Sequence, residues 1–124
     1  MAGRHRAGEG IGLDLLEIER IERALARRPG LARRLFHPGE LEYAGSRARP
    51  AQHLAARFCA KEAVSKALAL PVFAPLDIEV LGGGAQVSLA LHGAALERAV
   101  ELGVEVGVSL THTHGMAGAV AVLR

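Results

Sequence analysis

The stretch from residue 56 to residue 68 reads ARFCAKEAVSKAL, and it lies within the longest helical pattern of the chain, from about Ala51 to Leu70. Pro71 is expected to end this helix. Glu62 and Lys66 are four residues apart, so they share one helix face. Such pairs are usually exposed ion pairs worth about 0.5 kcal/mol, but the residues around this pair are largely apolar. The stretch therefore predicts a mostly buried helix with a carboxylate and an ammonium group on one side.

Upstream, GIGLDL from Gly10 to Leu15 alternates small and branched residues, which predicts a short buried strand. A helix is predicted to follow from about Leu16 to Arg28. Asp14 then lies at a strand end just before a helix, and one interpretation makes it the N-terminal cap of that helix. In the other interpretation, Asp14 and Glu62 bind Mg²⁺ together with substrate phosphates, and Lys66 neutralises a phosphate oxygen. The residues alone leave both open.

The whole pattern predicts an α+β domain in which a small antiparallel sheet packs on one long central helix. We read residues 1–9 as a flexible tail and residues 10–124 as a single domain. The glycines at 82–84 favour a hairpin turn over a phosphate-binding loop, because strand patterns flank them on both sides. The other predicted elements are a helix from Pro38 to Ala44, strands from Leu76 to Leu81 and Ala85 to Leu91, a helix from Gly93 to Leu102, and strands from Glu105 to Thr111 and Met116 to Leu123.

The composition is poor in large aromatic side chains, with one Tyr, three Phe and no Trp in 124 residues. Aromatic residues normally supply the largest burial per residue, so this core must rely on many small contacts and would gain from contacts between copies of the chain. Cys59, the sole cysteine, is expected to be a small buried hydrophobe. No apolar run is long enough to span a bilayer, so we expect a soluble cytoplasmic protein with no membrane partner.

Arginines are concentrated toward the N-terminal end, although the formal net charge is only +2. A solvated helix face is one explanation, and an acidic partner such as phosphate, nucleic acid or an acidic protein is the other. Nucleic acid is disfavoured because no aromatic residues are interleaved for base stacking. The arginines that crowd the region from residue 20 to residue 34 are Arg20, Arg23, Arg27, Arg28, Arg33 and Arg34.

A third polar cluster, SLTHTH from Ser109 to His114, is predicted at the exit of a strand. Alternate residues of a strand point to the same face, so His112 and His114 could share a transition metal. Two histidines without a third ligand are a weak metal signal. Hydrogen bonding of a phosphate or ligand by Thr111, His112 and Thr113 is equally admissible.

Together these clusters resemble the holo-acyl-carrier-protein synthases, a family of 4'-phosphopantetheinyl transferases. The family pattern G-I-G-x-D-x-x-x-I-x-R is matched by GIGLDLLEIER from Gly10 to Arg20. Its second signature, R-F-x-A-K-E-A-x-x-K-A, is matched by RFCAKEAVSKA from Arg57 to Ala67. The third, V-S-[IL]-[ST]-H-[TDS], is matched by VSLTHT from Val108 to Thr113. Order and spacing agree over about Gly10 to Leu123.

The resemblance implies the 4'-phosphopantetheinyl transferase fold, a homotrimer with active sites at subunit boundaries, and transfer of phosphopantetheine from coenzyme A to a serine of acyl carrier protein in fatty acid biosynthesis. Asp14 and Glu62 map onto the Mg²⁺ ligands, and Glu62 and Lys66 onto the catalytic residues. Glu62 is the expected general base, directly or through a metal-bound water, and the sequence does not separate these two options. Residues that map onto the coenzyme A site are Arg57, Ser65, Lys66, His112 and Thr113. Residues that map onto the carrier-protein surface are Arg20, Arg23 and Arg27.

Two departures from the family pattern concern residues near the cofactor. Relatives usually carry a G-T-G type loop after the long helix, whereas this chain has LPVFAP from Leu70 to Pro75. His114 stands where a lysine or an acidic residue is common. Neither change affects Asp14, Glu62 or Lys66, so the resemblance still implies the same chemistry.

Overall fold

The computed structural model describes residues 10–124, and the predicted tail at 1–9 lies outside the described residues. The described chain is an α+β fold, as predicted, with one long helix covered by strands and short helices. Its elements, in chain order, are β1 (Ile11–Glu17), α1 (Ile18–Arg27), α2 (Leu31–Leu35), α3 (Pro38–Gly45), α4 (Pro50–Ala67), a 3-10 turn (Pro75–Asp77), β2 (Ile78–Gly83), β3 (Gln86–Leu91), α5 (Gly93–Leu102), β4 (Val106–His112) and β5 (Met116–Leu123).

The strands form two antiparallel sheets, one of three strands in the order β1–β5–β4 and one hairpin of β2 and β3. The three-stranded sheet packs its inner face on α4. That face carries small side chains on β5, where Ala117, Ala119 and Ala121 are all buried. Small residues let a helix approach a sheet closely, which suits a core with few aromatic side chains. The core is accordingly built mainly from alanine and aliphatic residues.

The glycine at position 12 is required by the contact between β1 and α4. A Cβ atom at Gly12 would lie 1.9 Å from the carbonyl oxygen of Ala63 on α4, which is far inside van der Waals contact. Because the obstacle is backbone, no side-chain rotation relieves it. Gly12 therefore fixes how closely β1 lies against α4, and with it the position of Asp14 two residues on.

Several predicted boundaries were wrong. β1 continues to Glu17, which pairs with Met116, so α1 begins at Ile18 and not at Leu16. Helix α4 ends at Ala67 and not at Leu70, since Ala69 takes a positive φ of 53°. The short helix α2 was missed, because Pro29-Gly30 was read only as a stop signal. The predicted single sheet is in fact two sheets.

The hairpin predicted at 82–84 is confirmed. Gly83 pairs with Gln86 and the turn residues are Gly84 and Ala85. Gly82 has a φ of +75° and Gly84 a φ of +62°, which glycine adopts without strain. A Cβ at Gly82 would also lie 2.3 Å from the Gln86 carbonyl oxygen. The predicted strand start at Leu76 was wrong, because residues 75–77 form the 3-10 turn.

A buried ion pair joins α3, α4 and β2, and no sequence pattern indicated it. Both Lys61 and Glu40 have side chains that are 0% exposed, with Lys61 Nζ 2.9 Å from Glu40 Oε1. Lys61 also donates to the carbonyl oxygens of Pro75 and Ile78, at 2.9 and 2.6 Å. The second carboxylate oxygen of Glu40 accepts from the Val80 amide at 3.1 Å. Because burial disfavours the charged amine, the pKa of Lys61 is lowered, although Glu40 opposes the shift.

Candidate active site

The structure brings Asp14, Glu62 and Lys66 together where β1 crosses α4. Asp14 lies on β1 opposite Ala119 of β5, on the face of the sheet that packs against α4. Lys66 Nζ lies 3.2 Å from Asp14 Oδ1 and donates to the Leu13 carbonyl oxygen at 3.1 Å. Glu62 is one helical turn before Lys66, so it faces the same strand. Asp14 does not cap α1, because the strand continues to Glu17.

The electrostatics of this cluster favour a cation. Burial raises the pKa of Glu62, the neighbouring Asp14 raises it further, and Lys66 opposes the shift. The pKa of the buried Cys59 thiol is raised to about 12, chiefly by burial and then by Asp14. Two carboxylates in a partly desolvated site repel each other, and a bound cation relieves that repulsion. The donor set consists of hard oxygen atoms, which is the set that Mg²⁺ prefers.

Arg57 and His112 meet in a second place, a pocket of about 140 Å³ beside the β2–β3 turn. The guanidinium of Arg57 is buried, lies over the Tyr43 ring at 4.2 Å and donates through Nη2 to the Gly82 carbonyl oxygen. Its buried Nε has no hydrogen-bond partner among the described residues. Burial lowers the pKa of Arg57. A cation with a free donor in a small pocket suits an anionic group.

Sequence reasoning missed several residues of this pocket. Tyr43 comes from α3, and His53 on α4 lies edge-on to it with ring centroids 5.6 Å apart. His53 also faces His112 at 6.1 Å, and burial, then His112, lowers its pKa. Gln52 contacts the His112 ring, with its Nε2 atom 2.8 Å from His112 Nε2. The helical spacing of His53 from Arg57 was the one available signal, because residues four apart lie near one another on α4.

Ser65 and Thr113 have other surroundings. Ser65 is buried on α4 beside Lys66 in sequence. Thr113 closes the β4–β5 connection, where its Oγ1 accepts from the Met116 amide at 3.1 Å. Among the described residues, neither lines the pocket that holds Arg57. Of the six predicted ligand-binding and catalytic residues other than Asp14, two lie at the Asp14 cluster (Glu62 and Lys66), two line the pocket (Arg57 and His112), one lies in the turn after β4 (Thr113) and one is buried on α4 (Ser65).

The predicted basic surface is an open groove along α1. Arg20, Arg23, Arg27 and Arg28 line it together with the small Ala24. Ile18 and Ile21 on the same helix are buried, so the arginines face away from the core. Arg23 also pairs with Glu19 one turn earlier. The groove therefore presents a net positive surface with room for a partner above Ala24.

A model of the 4'-phosphopantetheinyl transferase superfamily matches residues 10–119. The chain is 46% identical over 117 residues to a holo-[acyl-carrier-protein] synthase from Moorella thermoacetica, covering 91% of each chain. It superposes on an ACPS–coenzyme A complex from Chronobacterium ammoniagenes with a TM-score of 0.80 at 29% identity, covering 93% of this chain and 96% of that one. The Helicobacter pylori holo-[acyl-carrier-protein] synthase in complex with coenzyme A gives a TM-score of 0.77 at 27% identity, covering 92% and 99%. The family and fold predictions are thus confirmed, and the chain belongs to the 4'-phosphopantetheinyl transferase superfamily as a holo-[acyl-carrier-protein] synthase.

Proposed function

We propose that this chain transfers 4'-phosphopantetheine from coenzyme A to a serine of apo-acyl carrier protein, with release of 3',5'-ADP. The observation that carries the proposal is the meeting of Asp14, Glu62 and Lys66 in a chain of this family. Structural neighbours include complexes with coenzyme A, which supports the choice of donor. We place the reaction in the cytoplasm and in fatty acid biosynthesis, and we assign it to residues 10–124 as one domain. In this part of the chain, no helix combines the length and hydropathy needed to cross a membrane.

Asp14 and Glu62 are proposed to hold Mg²⁺, because their oxygen donors fit a hard cation and their mutual repulsion favours one. When bound, Mg²⁺ supplies positive charge at the phosphoryl oxygens of the transition state. Lys66 neutralises charge that develops toward the leaving 3',5'-ADP. Its side chain is 52% exposed, so it can leave Asp14 and turn toward a phosphate.

Glu62 is proposed to accept the proton of the attacking serine, directly or through a water molecule. Its raised pKa makes it a better proton acceptor than an ordinary carboxylate, and it stays ionised while its pKa is below the working pH. The new bond forms between the serine oxygen and the β-phosphorus of coenzyme A, and the bond from that phosphorus to the bridging oxygen breaks. The leaving group departs with the electron pair of that bond. Catalysis rests on positioning and charge neutralisation.

Arg57, Ser65, Lys66, His112 and Thr113 are proposed to bind coenzyme A. The unpartnered Nε of Arg57 and the ring of His112 offer polar contacts to a phosphate at the small pocket. Ser65 and Thr113 are assigned to the coenzyme A site by the family resemblance, and they lie next to Lys66 and His112 in sequence. The loop that lacks the usual glycines, residues 70–75, does not line this pocket.

The direct test is to incubate purified protein with apo-acyl carrier protein, coenzyme A and Mg²⁺ and to record the mass of the carrier. We expect the carrier to gain one phosphopantetheine and an equal amount of 3',5'-ADP to be released. A carrier whose acceptor serine is replaced by alanine is the control. An unmodified wild-type carrier, with coenzyme A intact, would contradict the proposal.

We propose a homotrimer in which neighbouring copies complete the active site. The outer face of β1 exposes Ile11, Leu13 and Leu15, which are 52, 62 and 64% exposed in the single chain. Val122 lies opposite Ile11 on the same face and is 38% exposed. A row of large apolar side chains on one sheet face marks an interaction surface. Asp14 lies on the same strand with the opposite orientation, so the strand that would form the interface also carries a proposed metal ligand.

Leu13→Asp is expected to convert the trimer to monomer, because each interface would have to bury a carboxylate in place of an apolar side chain. Light scattering at micromolar protein measures the change, and transferase activity should fall with it. The control is Leu96→Asp on α5, which introduces the same charge at an exposed leucine outside this face. A wild-type monomer with full activity would contradict the shared site.

We propose that the groove of Arg20, Arg23 and Arg27 receives the acidic carrier protein. Exposed charges across an interface mainly speed association, and salt screens them. Arg20→Glu or Arg27→Glu is therefore expected to raise the KM for carrier protein by roughly tenfold at low salt, while the KM for coenzyme A stays nearly constant.

Steady-state kinetics at two ionic strengths measure this effect, which should shrink at high salt. Arg33→Glu on α2 makes the same charge change outside the groove. An equal, salt-independent rise in both KM values would instead indicate that these arginines act in coenzyme A binding or in stabilising the fold.

A further inference from the structure

Away from the Asp14 cluster, two histidines and a carboxylate converge from three separate elements. His37 precedes α3, Glu79 lies on β2 and His92 precedes α5. One ligand atom from each side chain lies within 4.8 Å of the other two. The residues are 42 and 13 positions apart in sequence, so only the fold brings them together.

The tautomer of His37 leaves a lone pair directed at this cluster. Its Nε2–H donates to the Leu76 carbonyl oxygen at 2.7 Å, so Nδ1 is the acceptor nitrogen. Nδ1 lies 3.9 Å from Glu79 Oε1. The Glu40 amide donates to the His37 carbonyl oxygen at 3.0 Å and also faces the His37 ring in the capping box at the start of α3, a contact that the ring would exchange for the metal. In a metal-binding histidine, one ring nitrogen usually donates its N–H to a carboxylate or a backbone carbonyl, and the other ring nitrogen binds the metal.

Two acceptors that face each other repel unless a proton or a cation lies between them. His92 Nε2 lies 3.1 Å from the same Glu79 Oε1, where it forms a hydrogen bond without a metal and would become the third ligand atom with one. A proton shared between His37 and Glu79 would require only those two residues, whereas a metal ion requires further ligands such as His92. The rings of His37 and His92 also lie close, with centroids 5.3 Å apart, so both can turn their nitrogens to one point.

We propose that His37 Nδ1, Glu79 Oε1 and His92 Nε2 form a site for a transition-metal ion of the Zn²⁺ class, separate from the Mg²⁺ site. Two imidazole nitrogens and one carboxylate with a water in the fourth position is a set that Zn²⁺ accepts, whereas Mg²⁺ prefers oxygen ligands. Entry from solvent is open, since the side chain of His92 is 47% exposed. The ion would join the starts of α3 and α5 to β2. The start of β2 is also bound by Lys61, which donates to the Ile78 carbonyl oxygen.

The test titrates Zn²⁺ into untagged, metal-free protein by calorimetry, with excess Mg²⁺ present to occupy Asp14 and Glu62. We expect one equivalent to bind per chain. Glu79→Gln and His92→Asn should each weaken binding at least about tenfold, since each removes one ligand. A Zn²⁺ concentration about a hundredfold above Kd should raise the Tm of wild type by roughly 10 °C, and that of these variants by much less.

Three control proteins separate this site from other metal-binding groups. His114→Asn removes an exposed histidine outside the cluster, and His5→Asn removes the one that lies outside the described residues. Asp14→Asn tests the proposed Mg²⁺ site. All three should bind Zn²⁺ as wild type does, whether or not the proposed transfer reaction occurs. Absence of saturable binding in wild type, or unchanged binding in both Glu79→Gln and His92→Asn with native circular dichroism, would overturn the proposal.

Discussion

Asp14→Asn and Glu62→Gln are each expected to lower the rate of phosphopantetheine transfer by about a thousandfold, because each removes a proposed anionic ligand of Mg²⁺. Both substitutions keep the shape of the side chain, so the fold should persist. The measurement is the rate at which the carrier protein gains mass at limiting Mg²⁺. Glu97→Gln, which neutralises an exposed carboxylate on α5, should leave the rate unchanged.

The same Glu62→Gln substitution is expected to stabilise the metal-free protein at neutral pH. The pKa of Glu62 is raised in the folded protein above its ordinary value of 4.5, so the folded state holds that proton more tightly than the unfolded state. The contribution of Glu62 to stability is therefore present at low pH and is lost as pH rises through the raised pKa. Glutamine removes this loss, and the Tm at neutral pH should rise.

With Mg²⁺ present, wild type should instead have the higher Tm, because Mg²⁺ should raise the Tm of wild type and not that of Glu62→Gln. Thermal unfolding with and without Mg²⁺ measures both effects. Normal turnover of either Asp14→Asn or Glu62→Gln, or a Tm of wild type that does not respond to Mg²⁺, would contradict the assignment of the metal site.

Lys61→Ala is expected to destabilise the fold by about 3–5 kcal/mol, because it leaves the carboxylate of Glu40 buried without its cation. It also leaves the carbonyl oxygens of Pro75 and Ile78 without their donor. Urea unfolding measures the loss. Since small domains are stable by about 5–15 kcal/mol, this single change approaches the limit of what the fold can tolerate.

Two further variants make this expectation specific. The double change Lys61→Met with Glu40→Gln removes both charges and keeps an oxygen for the Val80 amide, so it should recover much of the loss. Lys66→Ala removes an exposed lysine from the same helix and should cost less than about 1 kcal/mol. An equally small loss for Lys61→Ala would show that the buried pair contributes little.

Much of the candidate site could be proposed from the sequence because its residues lie in short, local patterns. Helical spacing placed Glu62 and Lys66 on one face, and the family resemblance paired Asp14 with Glu62. The signal for α5 was equally local, and its predicted bounds, Gly93 to Leu102, are those of the structure.

The remaining features depend on contacts between distant parts of the chain. Nothing in the sequence joins Glu40 to Lys61, since a buried lysine has the same local pattern as an exposed one. The partner of Arg57 is Tyr43, a residue that had no predicted role, and it was found only through the approach of α3 to α4. The helix α2 follows a proline-glycine pair, and five residues are too few to show a helical period.

Cys59 has a consequence for how the motions of this protein can be followed. Its thiol is 0% exposed, its Sγ lies 3.6 Å from the Ala117 carbonyl oxygen, and its pKa is raised to about 12. Alkylation requires the thiolate, so a maleimide can react at neutral pH only after β5 separates from α4 and the thiol regains its ordinary acidity. Cys59 is the sole cysteine of the chain, so the rate at which a maleimide labels the wild-type protein reports how often the sheet separates from α4.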